Sequence, residues 1–211
     1  RFQRAIELNP SYSVARQWHS WFLIAMGRTE AALAEGRIAA ELDPASVSIR
    51  RSMGWLCYYA RQPREALGHL RRALAMNPTA EENHRLLGLA YLQLGMYDEA
   101  AAAFREAVAS SESPALATAG LGLVAAAKGR LTDARGVLDG LYAESREHYL
   151  TPVALAMVHA ALGEGDAAFE WLDRALDDRR GWLAYLKVEP VLDPLRGDVR
   201  FTRLLERMRL A

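Results

Sequence analysis

Apolar and small residues recur along the chain at spacings of three and four positions, the period of an amphipathic α-helix. Ala66, Leu67, Leu70 and Ala73 mark one such stripe, in a stretch that ends before Pro78. On a helix with 3.6 residues per turn these positions share one face, which can be buried. A second stripe of this kind comprises Leu86, Leu87, Ala90, Tyr91 and Leu94. The pattern therefore predicts successive helices that pack through these faces.

The predicted helices repeat as pairs with a period of 34 residues. The stretch "GRTEAALAEGRIAAELDP" at 27–44 aligns without a gap with "RQPREALGHLRRALAMNP" at 61–78 and with "GMYDEAAAAFREAVASSE" at 95–112, and the step continues to 129–146 and 163–180. The opening stretch 1–10 fits the end of an earlier copy, because Pro10, Pro44 and Pro78 keep the same spacing. Such self-similarity indicates a repeat architecture, in which each unit is stabilised by stacking on its neighbours.

Each copy contains a first and a second helix joined by a tight turn. A glycine stands in most copies where the first helix ends and a left-handed residue is favoured; these are Gly27, Gly95, Gly129 and Gly163. Small residues at matched positions would allow close helix packing; they are Gly54, Gly88, Gly122 and Ala156 in the first helices, and Ala32, Ala66, Ala100, Ala134 and Ala168 in the second. We predict an all-α array over 1–180, with a partial repeat at 1–12 and full repeats at 13–46, 47–80, 81–114, 115–148 and 149–182.

The array resembles tetratricopeptide repeats (TPRs). The stretch "LLGLAYLQLGMYDEAAAAFREAV" at 86–108 carries the resemblance through Leu87, Gly88, Tyr91, Gly95, Tyr97, Ala100, Phe104 and Ala107. Individual copies depart from the pattern, with His19-Ser20 in place of the Leu-Gly pair, Gly36 at the position of Phe104, and Glu112 at that of the closing proline. The resemblance implies a right-handed α-α superhelix, the TPR solenoid, of five full helix pairs with a partial N-terminal helix. It also implies that the first helices line a concave face.

The stretch that begins at Gly181 breaks the repeat. Pro190 and Pro194 would interrupt a long helix, whereas Asp198 is a suitable start for an amphipathic one. We predict a C-terminal cap at 183–211 that ends in a capping helix. The wording "WLAYLKVEPVLDPLRGDVRF", together with "FEWLDRAL", is similar to the end of TPR regions in large bacterial regulators: winged-helix transcriptional regulators, Ser/Thr kinases and nucleotide cyclases. That resemblance implies a sensory or interaction region of a larger regulatory or signalling protein.

Charge and composition narrow the classes of partner. The chain has 26 Lys and Arg residues against 26 Asp and Glu residues, so it lacks the basic excess that drives nucleic-acid binding, and we expect none by this segment. No apolar run reaches the ~18 to 20 residues of a membrane span. The chain opens on Arg1 without a signal-type region, so we expect a piece of a longer polypeptide. A cytoplasmic location is expected, or a periplasmic one if an anchor precedes.

Motifs that would carry catalysis or cofactor binding have simpler explanations here. "GLGLVA" at 120–125 matches a dinucleotide-binding pattern, but it is predicted to lie inside a first helix rather than after a strand. No two histidines are three or four residues apart, which disfavours a metal site, and we expect His19 and His159 to be packed and hydrogen-bonded. The single cysteine, Cys57, falls at a packing position. We therefore predict no enzyme activity, no cofactor and no metal.

The first helices place a set of aromatic, apolar and Arg residues at the positions expected to face the concave groove. Aromatic and Arg side chains commonly anchor protein interfaces. We therefore predict a partner-binding groove for a protein or peptide, formed by Gln17, Trp21, Arg51, Trp55, Tyr58, Tyr59, Glu82, Arg85, Leu89, Gln93, Leu123 and Met157.

Two alternatives to this groove remain open at the level of sequence. In the first, Trp55 and Tyr58 pack between neighbouring helices and offer no surface. In the second, the array is a structural spacer or a self-association module that forms a homo-oligomer, with no dedicated peptide ligand.

Overall fold

The computed structural model describes residues 1–178 and 181–210, and within them it is all-helical. The α-helices are α1 (Phe2–Leu8), α2 (Ser13–Ala25), α3 (Thr29–Leu42), α4 (Val47–Tyr59), α5 (Pro63–Met76), α6 (Glu81–Gln93), α7 (Tyr97–Ala109), α8 (Ala115–Ala127), α9 (Leu131–Glu147), α10 (Pro152–Ala161), α11 (Gly165–Asp177) and α12 (Val199–Arg207). The predicted fold class, a TPR-type superhelix of five full pairs, is confirmed. The predicted end of the array at residue 180 and the final residue of the predicted cap, 211, lie outside the described residues.

The turn inside each pair depends on one left-handed residue. Gly27, Gly95, Gly129 and Gly163 have φ angles of 74, 71, 73 and 76°. In the second full pair the same position holds Arg61, with a φ of 61°. A left-handed backbone is unfavourable for residues that carry a Cβ atom, by about 1–2 kcal/mol. Arg61 therefore adopts a strained backbone conformation, and we expect its side chain to make a contact that offsets the strain.

Glycines inside the first helices allow the ring of Phe104 to fill the space between two pairs. A Cβ atom at Gly88 on α6 would lie 2.7 Å from the Phe104 ring, and one at Gly120 on α8 would lie 2.3 Å from it. Real side chains do not approach so closely, so any larger residue at either position would displace the ring. The "GLGLVA" stretch thus lies within α8, as predicted, and its first glycine, Gly120, serves packing against Phe104.

Residues 181–196, called here the C-terminal segment, return from the end of the array into its concave face. The segment contains two 3₁₀ turns, Gly181–Tyr185 and Pro190–Leu195, with four buried leucines: Leu183, Leu186, Leu192 and Leu195. These leucines belong to the same hydrophobic core as the repeats. Helix α12 follows and buries Phe201 and Leu204, while its Arg200 pairs with Asp166 of α11 at 2.7 Å. Only this last part corresponds to a cap on the terminal pair.

Candidate partner-binding surface

The aromatic part of the concave face is covered by the C-terminal segment. Tyr185 stacks on Tyr59 with ring centroids 5.2 Å apart and planes inclined by 9°, and its ring lies 4.8 Å from that of Trp55. Trp55 in turn meets Trp21 edge to face at 5.1 Å. Aromatic pairs in these geometries are favourable beyond the area that they bury. The C-terminal segment of the same chain thus occupies this part of the surface formed by the first helices.

A buried hydrogen bond fixes the middle of the segment. The Tyr58 hydroxyl donates to the Glu189 carboxylate at 2.5 Å, and the amide of Val191 donates to the same carboxylate at 3.2 Å. Glu189 is only 1% exposed, and burial raises its pKa above the usual carboxyl value, although Tyr58, Val191 and the nearby Arg85 and Arg61 favour the charged form. Burial also raises the pKa of Tyr58, which keeps its phenol a donor.

A bidentate ion pair holds the segment at the turn between α4 and α5. The Arg61 guanidinium donates to both carboxylate oxygens of Asp193, at 2.8 and 2.7 Å. Burial alone would raise the pKa of Asp193, but hydrogen bonds from Arg61 and Arg196 outweigh it and lower the pKa below the usual value. This contact gives a use to the left-handed Arg61, whose matched positions hold glycine.

Arg196 satisfies main-chain groups that the segment would otherwise leave unpaired. Its guanidinium donates to the carbonyl oxygens of Lys187 and Glu189, at 2.7 and 3.0 Å, and to Asp193 at 2.7 Å. Buried carbonyl groups in irregular structure need such partners. One side chain thereby sets the course of the backbone between the two 3₁₀ turns.

The structure places the twelve predicted groove residues on the first helices, and none of them is exposed. Six are half-buried: Trp21, Arg51, Trp55, Glu82, Arg85 and Gln93. The other six are buried: Gln17, Tyr58, Tyr59, Leu89, Leu123 and Met157. The concave face along this set is therefore partly filled, and the use of these residues as a partner-binding groove stays a prediction. The C-terminal segment covers part of the aromatic surface, because its Tyr185 packs on Trp55, which stays half-buried, and on Tyr59, which is buried.

The polar members of the set are mostly engaged with neighbouring helices. Gln17 on α2 donates to the hydroxyl groups of Ser52 and Ser48 on α4, at 2.6 and 3.0 Å. Arg51 pairs with Glu82 at 3.2 Å, across the α4–α6 boundary. These contacts tie consecutive first helices together, so they contribute to the stacking of repeats and leave little of these groups free for a partner.

One part of the concave face stays open and is called here the concave cleft. It consists of two adjoining cavities of about 390 and 280 Å³, which share Leu92, Pro190 and Val191. The first is also lined by Tyr58, Arg61, Pro63, Leu89, Gln93 and Asp193, and the second by Tyr97, Leu123, Ala126, Ala127, Ala161 and Pro194. The predicted residues Tyr58, Leu89, Gln93 and Leu123 thus line the cleft.

Gln93 is the polar group with spare capacity in this cleft. Its amide nitrogen donates to the carbonyl oxygen of Tyr58 at 3.2 Å, whereas its amide oxygen is buried and accepts no hydrogen bond from any described residue. A buried acceptor without a donor is unfavourable by about 1–3 kcal/mol.

Sequence reasoning missed Tyr185, Glu189 and Asp193, the residues that dock the segment. The path of the C-terminal segment follows a regular spacing. Its buried positions, 183, 186, 189, 192 and 195, are each three residues apart. A period of three is that of a 3₁₀ helix rather than of an α-helix. Together with Pro190 and Pro194, this spacing indicates a segment with one buried side and no α-helical hydrogen bonding.

The remaining candidate residues serve packing. Cys57 is buried, and burial raises its pKa to about 12, so the thiol is not activated. The ring of His159 lies between the Glu164 carboxylate, 2.8 Å from Nδ1, and the Tyr142 hydroxyl, 2.8 Å from Nε2. Since a carboxylate accepts, Nδ1 carries a proton, and Nε2 is hydrogen-bonded to the Tyr142 hydroxyl. His159 is thus buried and hydrogen-bonded, as predicted.

Two further features are absent from residues 1–178 and 181–210. This part of the chain contains no group of three or more His, Cys, Asp or Glu side chains suited to hold a metal ion. No helix in this range is both long enough and apolar enough to cross a bilayer.

Helix pairs stacked on a common period, with an extended segment bound along the first helices, define a helical-repeat scaffold of the kind that binds proteins or peptides. The sequence model of the tetratricopeptide repeat matches residues 51–114 and 85–148, and another model with this description matches 153–180. Together these matches span more than half of the chain. The chain belongs to the tetratricopeptide-repeat family.

Solved structures share this fold at low sequence identity. TTC0263, a thermophilic TPR protein of Thermus thermophilus, has a TM-score of 0.64 and 22% identity, over 92% of this chain and 99% of that one. PilW, a widely conserved type IV pilus biogenesis factor, has a TM-score of 0.64 and 20% identity, over 92% and 87%. YrrB, a TPR protein with an unusual peptide-binding site, has a TM-score of 0.55 and 22% identity, over 89% and 96%. No curated protein matches the chain significantly.

Proposed function

We propose that this chain is a non-catalytic scaffold that binds a protein through an extended peptide segment in the concave cleft. The observation that carries the proposal is the cleft itself: two adjoining cavities with a largely apolar lining and, at Gln93, a buried amide oxygen without a donor. Specific peptide sites combine apolar pockets with a few placed polar groups. TPR folds are typical interaction scaffolds, which agrees with this use.

The lining of the cleft indicates the chemistry of the peptide. Leu89, Leu92 and Val191 offer contacts to an apolar side chain, and the Gln93 amide oxygen would accept from a main-chain N–H group of the peptide. The Arg61–Asp193 pair stands at the rim, where both groups already neutralise each other. A strongly charged peptide would therefore gain little, so we propose an extended, mainly apolar ligand segment.

The groove residues outside the cleft have a supporting role in this proposal. Trp21, Trp55 and Tyr59 bind the C-terminal segment, whose Pro190 and Val191 then form one wall of the cleft. The predicted partner surface is thereby reduced to Tyr58, Leu89, Gln93 and Leu123, together with Leu92, Tyr97 and the segment.

We further propose that the scaffold is the interaction region of a larger bacterial regulatory or signalling protein in the cytoplasm. The support is the resemblance of the stretch "WLAYLKVEPVLDPLRGDVRF" to the ends of such regions. The gene sequence that encodes the residues before Arg1 tests this part. A winged-helix, kinase or cyclase domain there would support it, and an export signal or an unrelated enzyme domain would contradict it.

A peptide-display selection against the purified chain tests the cleft. Peptides selected from a random library should bind in calorimetry, and Leu92→Glu should weaken them by at least about tenfold, because it places a charge in the apolar lining. Gln93→Ala is the milder second variant, since it removes the acceptor and the hydrogen bond to the Tyr58 carbonyl but introduces no charge. Leu131→Glu, at an exposed position of α9, is the matched control. Binding that responds to none of the cleft changes, or no selected binder, would refute the cleft as the site.

A further inference from the structure

The second cavity of the concave cleft has a lining of small side chains, and it is called here the alanine pocket. The ends of α8 and α10 contribute Ala126, Ala127 and Ala161, and the C-terminal segment contributes Pro190 and Pro194. Ala127 is exposed, while Ala126 and Ala161 are half-buried, so a ligand can reach all three methyl groups. The pocket has a volume of about 280 Å³.

The repeat period explains why this pocket is empty. Its alanines stand where the second and third full pairs have larger residues: Ala126 matches Tyr58 and Leu92, while Ala127 and Ala161 match Tyr59 and Gln93. The second and third pairs thus fill this part of the concave face with their own side chains. The fourth and fifth pairs leave the corresponding space open to a ligand.

The matched surface of the second pair already contacts an aromatic ring. There the ring of Tyr185, from the C-terminal segment, stacks on Tyr59 at a centroid distance of 5.2 Å. Ala127 and Ala161 hold the position of Tyr59 in the fourth and fifth pairs, and the pocket that they line is continuous with the rest of the cleft. The concave face therefore binds a ring from its own chain at one end and has room for another ring at the other end.

The lining of the alanine pocket disfavours a charged or strongly polar group. None of the nine described residues that line it is charged, and the Tyr97 hydroxyl is the single polar group among their side chains. Pro190 and Pro194 carry no amide hydrogen, and the amide of Val191 between them already donates to Glu189 at 3.2 Å. An anionic group would therefore lose its water here without gaining a main-chain donor from these three residues.

We propose that the alanine pocket binds one aromatic side chain of the peptide, as the anchor that fixes the peptide in the cleft. This inference rests on the peptide-binding function proposed above and specifies one residue class in the ligand. An apolar cavity of about 150 Å³ is large enough to bind benzene, so a volume of 280 Å³ has room for a phenyl, phenol or indole ring. The ring of Tyr97 offers an aromatic contact, and aromatic anchors in pockets dominate the affinity of many interfaces.

A single aromatic residue with blocked ends, N-acetylphenylalaninamide, tests the pocket directly. The 211-residue chain is labelled with ¹³C in its alanine methyl groups and titrated with this probe. Ring currents should shift the signals of Ala126, Ala127 and Ala161, with a dissociation constant on the order of a few millimolar for a ligand of this size. The signal of Ala109, exposed on α7, should not move. N-acetylalaninamide, which lacks the ring, should bind at least about tenfold more weakly.

Variants that fill the pocket supply the second part of the test. Ala126→Leu introduces the residue that the preceding pair has at position 92, and it should weaken the probe at least about tenfold because its side chain takes the space of the ring. Ala127→Gln, at an exposed position, is the milder variant if Ala126→Leu perturbs folding, which circular dichroism checks. Ala109→Leu is the matched control and should bind the probe as the parent does.

Peptides from the display selection distinguish a failure of the anchor from a failure of the cleft. Replacing their aromatic residue by alanine should weaken binding to the parent at least about tenfold, and binding to Ala126→Leu by much less. Selected peptides without an aromatic residue, or a probe that shifts Ala109 as much as the pocket alanines or shifts none of them, would overturn the anchor. The cleft proposal would survive these results if Leu92→Glu still weakens the peptides. A probe that binds in the pocket while no peptide is selected would support the aromatic site and refute the peptide function.

Discussion

Tyr58 and Glu189 stand 131 residues apart in the sequence and are joined by a 2.5 Å hydrogen bond inside the concave face. The bond connects the second full pair of the array to the C-terminal segment, and it lies among apolar side chains that exclude water. Because a carboxylate in such a site needs its donors, the bond makes the fold of the array dependent on the residues that follow it.

Removing the hydroxyl group of Tyr58 tests this dependence. Tyr58→Phe should lower the free energy of unfolding in urea by about 1–3 kcal/mol, since Glu189 would lose a donor while remaining buried. The bond favours the charged carboxylate, so the deficit should grow as the pH rises from acidic to neutral and Glu189 ionises. Tyr12→Phe, at an exposed tyrosine, should change stability by less than about 0.5 kcal/mol. Equal behaviour of the two variants would contradict the role assigned to Tyr58.

The left-handed backbone at position 61 predicts that a glycine variant is more stable than an alanine variant. Arg61→Ala keeps the left-handed strain and loses the Asp193 pair, whereas Arg61→Gly loses the pair but relieves the strain. Arg61→Gly should therefore be the more stable of the two by about 1 kcal/mol in thermal unfolding.

Arg64, exposed in the first turn of α5, gives the matched control for this pair. Both substitutions there fall in a helix, where glycine is less favourable than alanine by about 1 kcal/mol, so the order of stability should be reversed. The same order at positions 61 and 64 would show that the turn imposes no left-handed requirement.

Gly120 provides a test of close packing around Phe104. Gly120→Ala should destabilise the chain by about 1–3 kcal/mol, because the added methyl group would overlap a buried ring and this outweighs the gain in helix propensity. Gly136→Ala in α9, where no neighbouring atom lies within 4 Å, should instead be neutral or stabilise by up to about 1 kcal/mol. Urea unfolding of the two variants decides, and a stabilised Gly120→Ala would disprove the close contact.

Acid should loosen the attachment of α12. Hydrogen bonds from the Arg200 side chain and main-chain amide lower the pKa of Asp198 from 3.8 to about 2. A depressed carboxyl pKa contributes stability above the unfolded value that is lost as the pH falls through the folded one, so the loss should occur between about pH 4 and pH 2. As the pH falls from about 4 to about 2, the difference in melting temperature between the parent and Asp198→Asn should become smaller. A constant difference would exclude ionised Asp198 as the stabilising group.

Sequence alone predicted the parts of the fold that rest on local periodicity. The 34-residue period places α2 to α11, the turn glycines at 27, 95, 129 and 163, and the burial of Cys57 and His159, because each follows from helix geometry and from neighbours within one or two repeats. Because the copies align without gaps, the residue at one position can be compared directly with the residues at the matched positions of the other repeats.

The course of the C-terminal segment could not be predicted in the same way. Its contacts join Tyr185 to Tyr59 and Asp193 to Arg61, which are more than a hundred residues apart in the sequence. The segment does not match the 34-residue repeat, so no aligned copy indicates its structure. The groove prediction located the surface to which the segment binds, but the alternative it left open had Trp55 and Tyr58 packed between neighbouring helices and not under the segment. Whether an apolar face of a solenoid is open depends on every segment that can reach it, and the three-residue spacing of the buried leucines was the sole local sign of this one.

The depth at which the segment is built into the core leads to a last prediction. Leu186 is fully buried between the 3₁₀ turns, as Leu70 is in α5. If the segment is a permanent part of the fold, Leu186→Ala should lower the free energy of unfolding by about 2–5 kcal/mol, as Leu70→Ala should, because each leaves a cavity in the same core. Leu131→Ala, at an exposed position, should have little effect. A small loss for Leu186→Ala beside a large one for Leu70→Ala would mean that the segment detaches readily. The aromatic surface beneath it, from Trp55 to Tyr59, would then be available to a competing peptide.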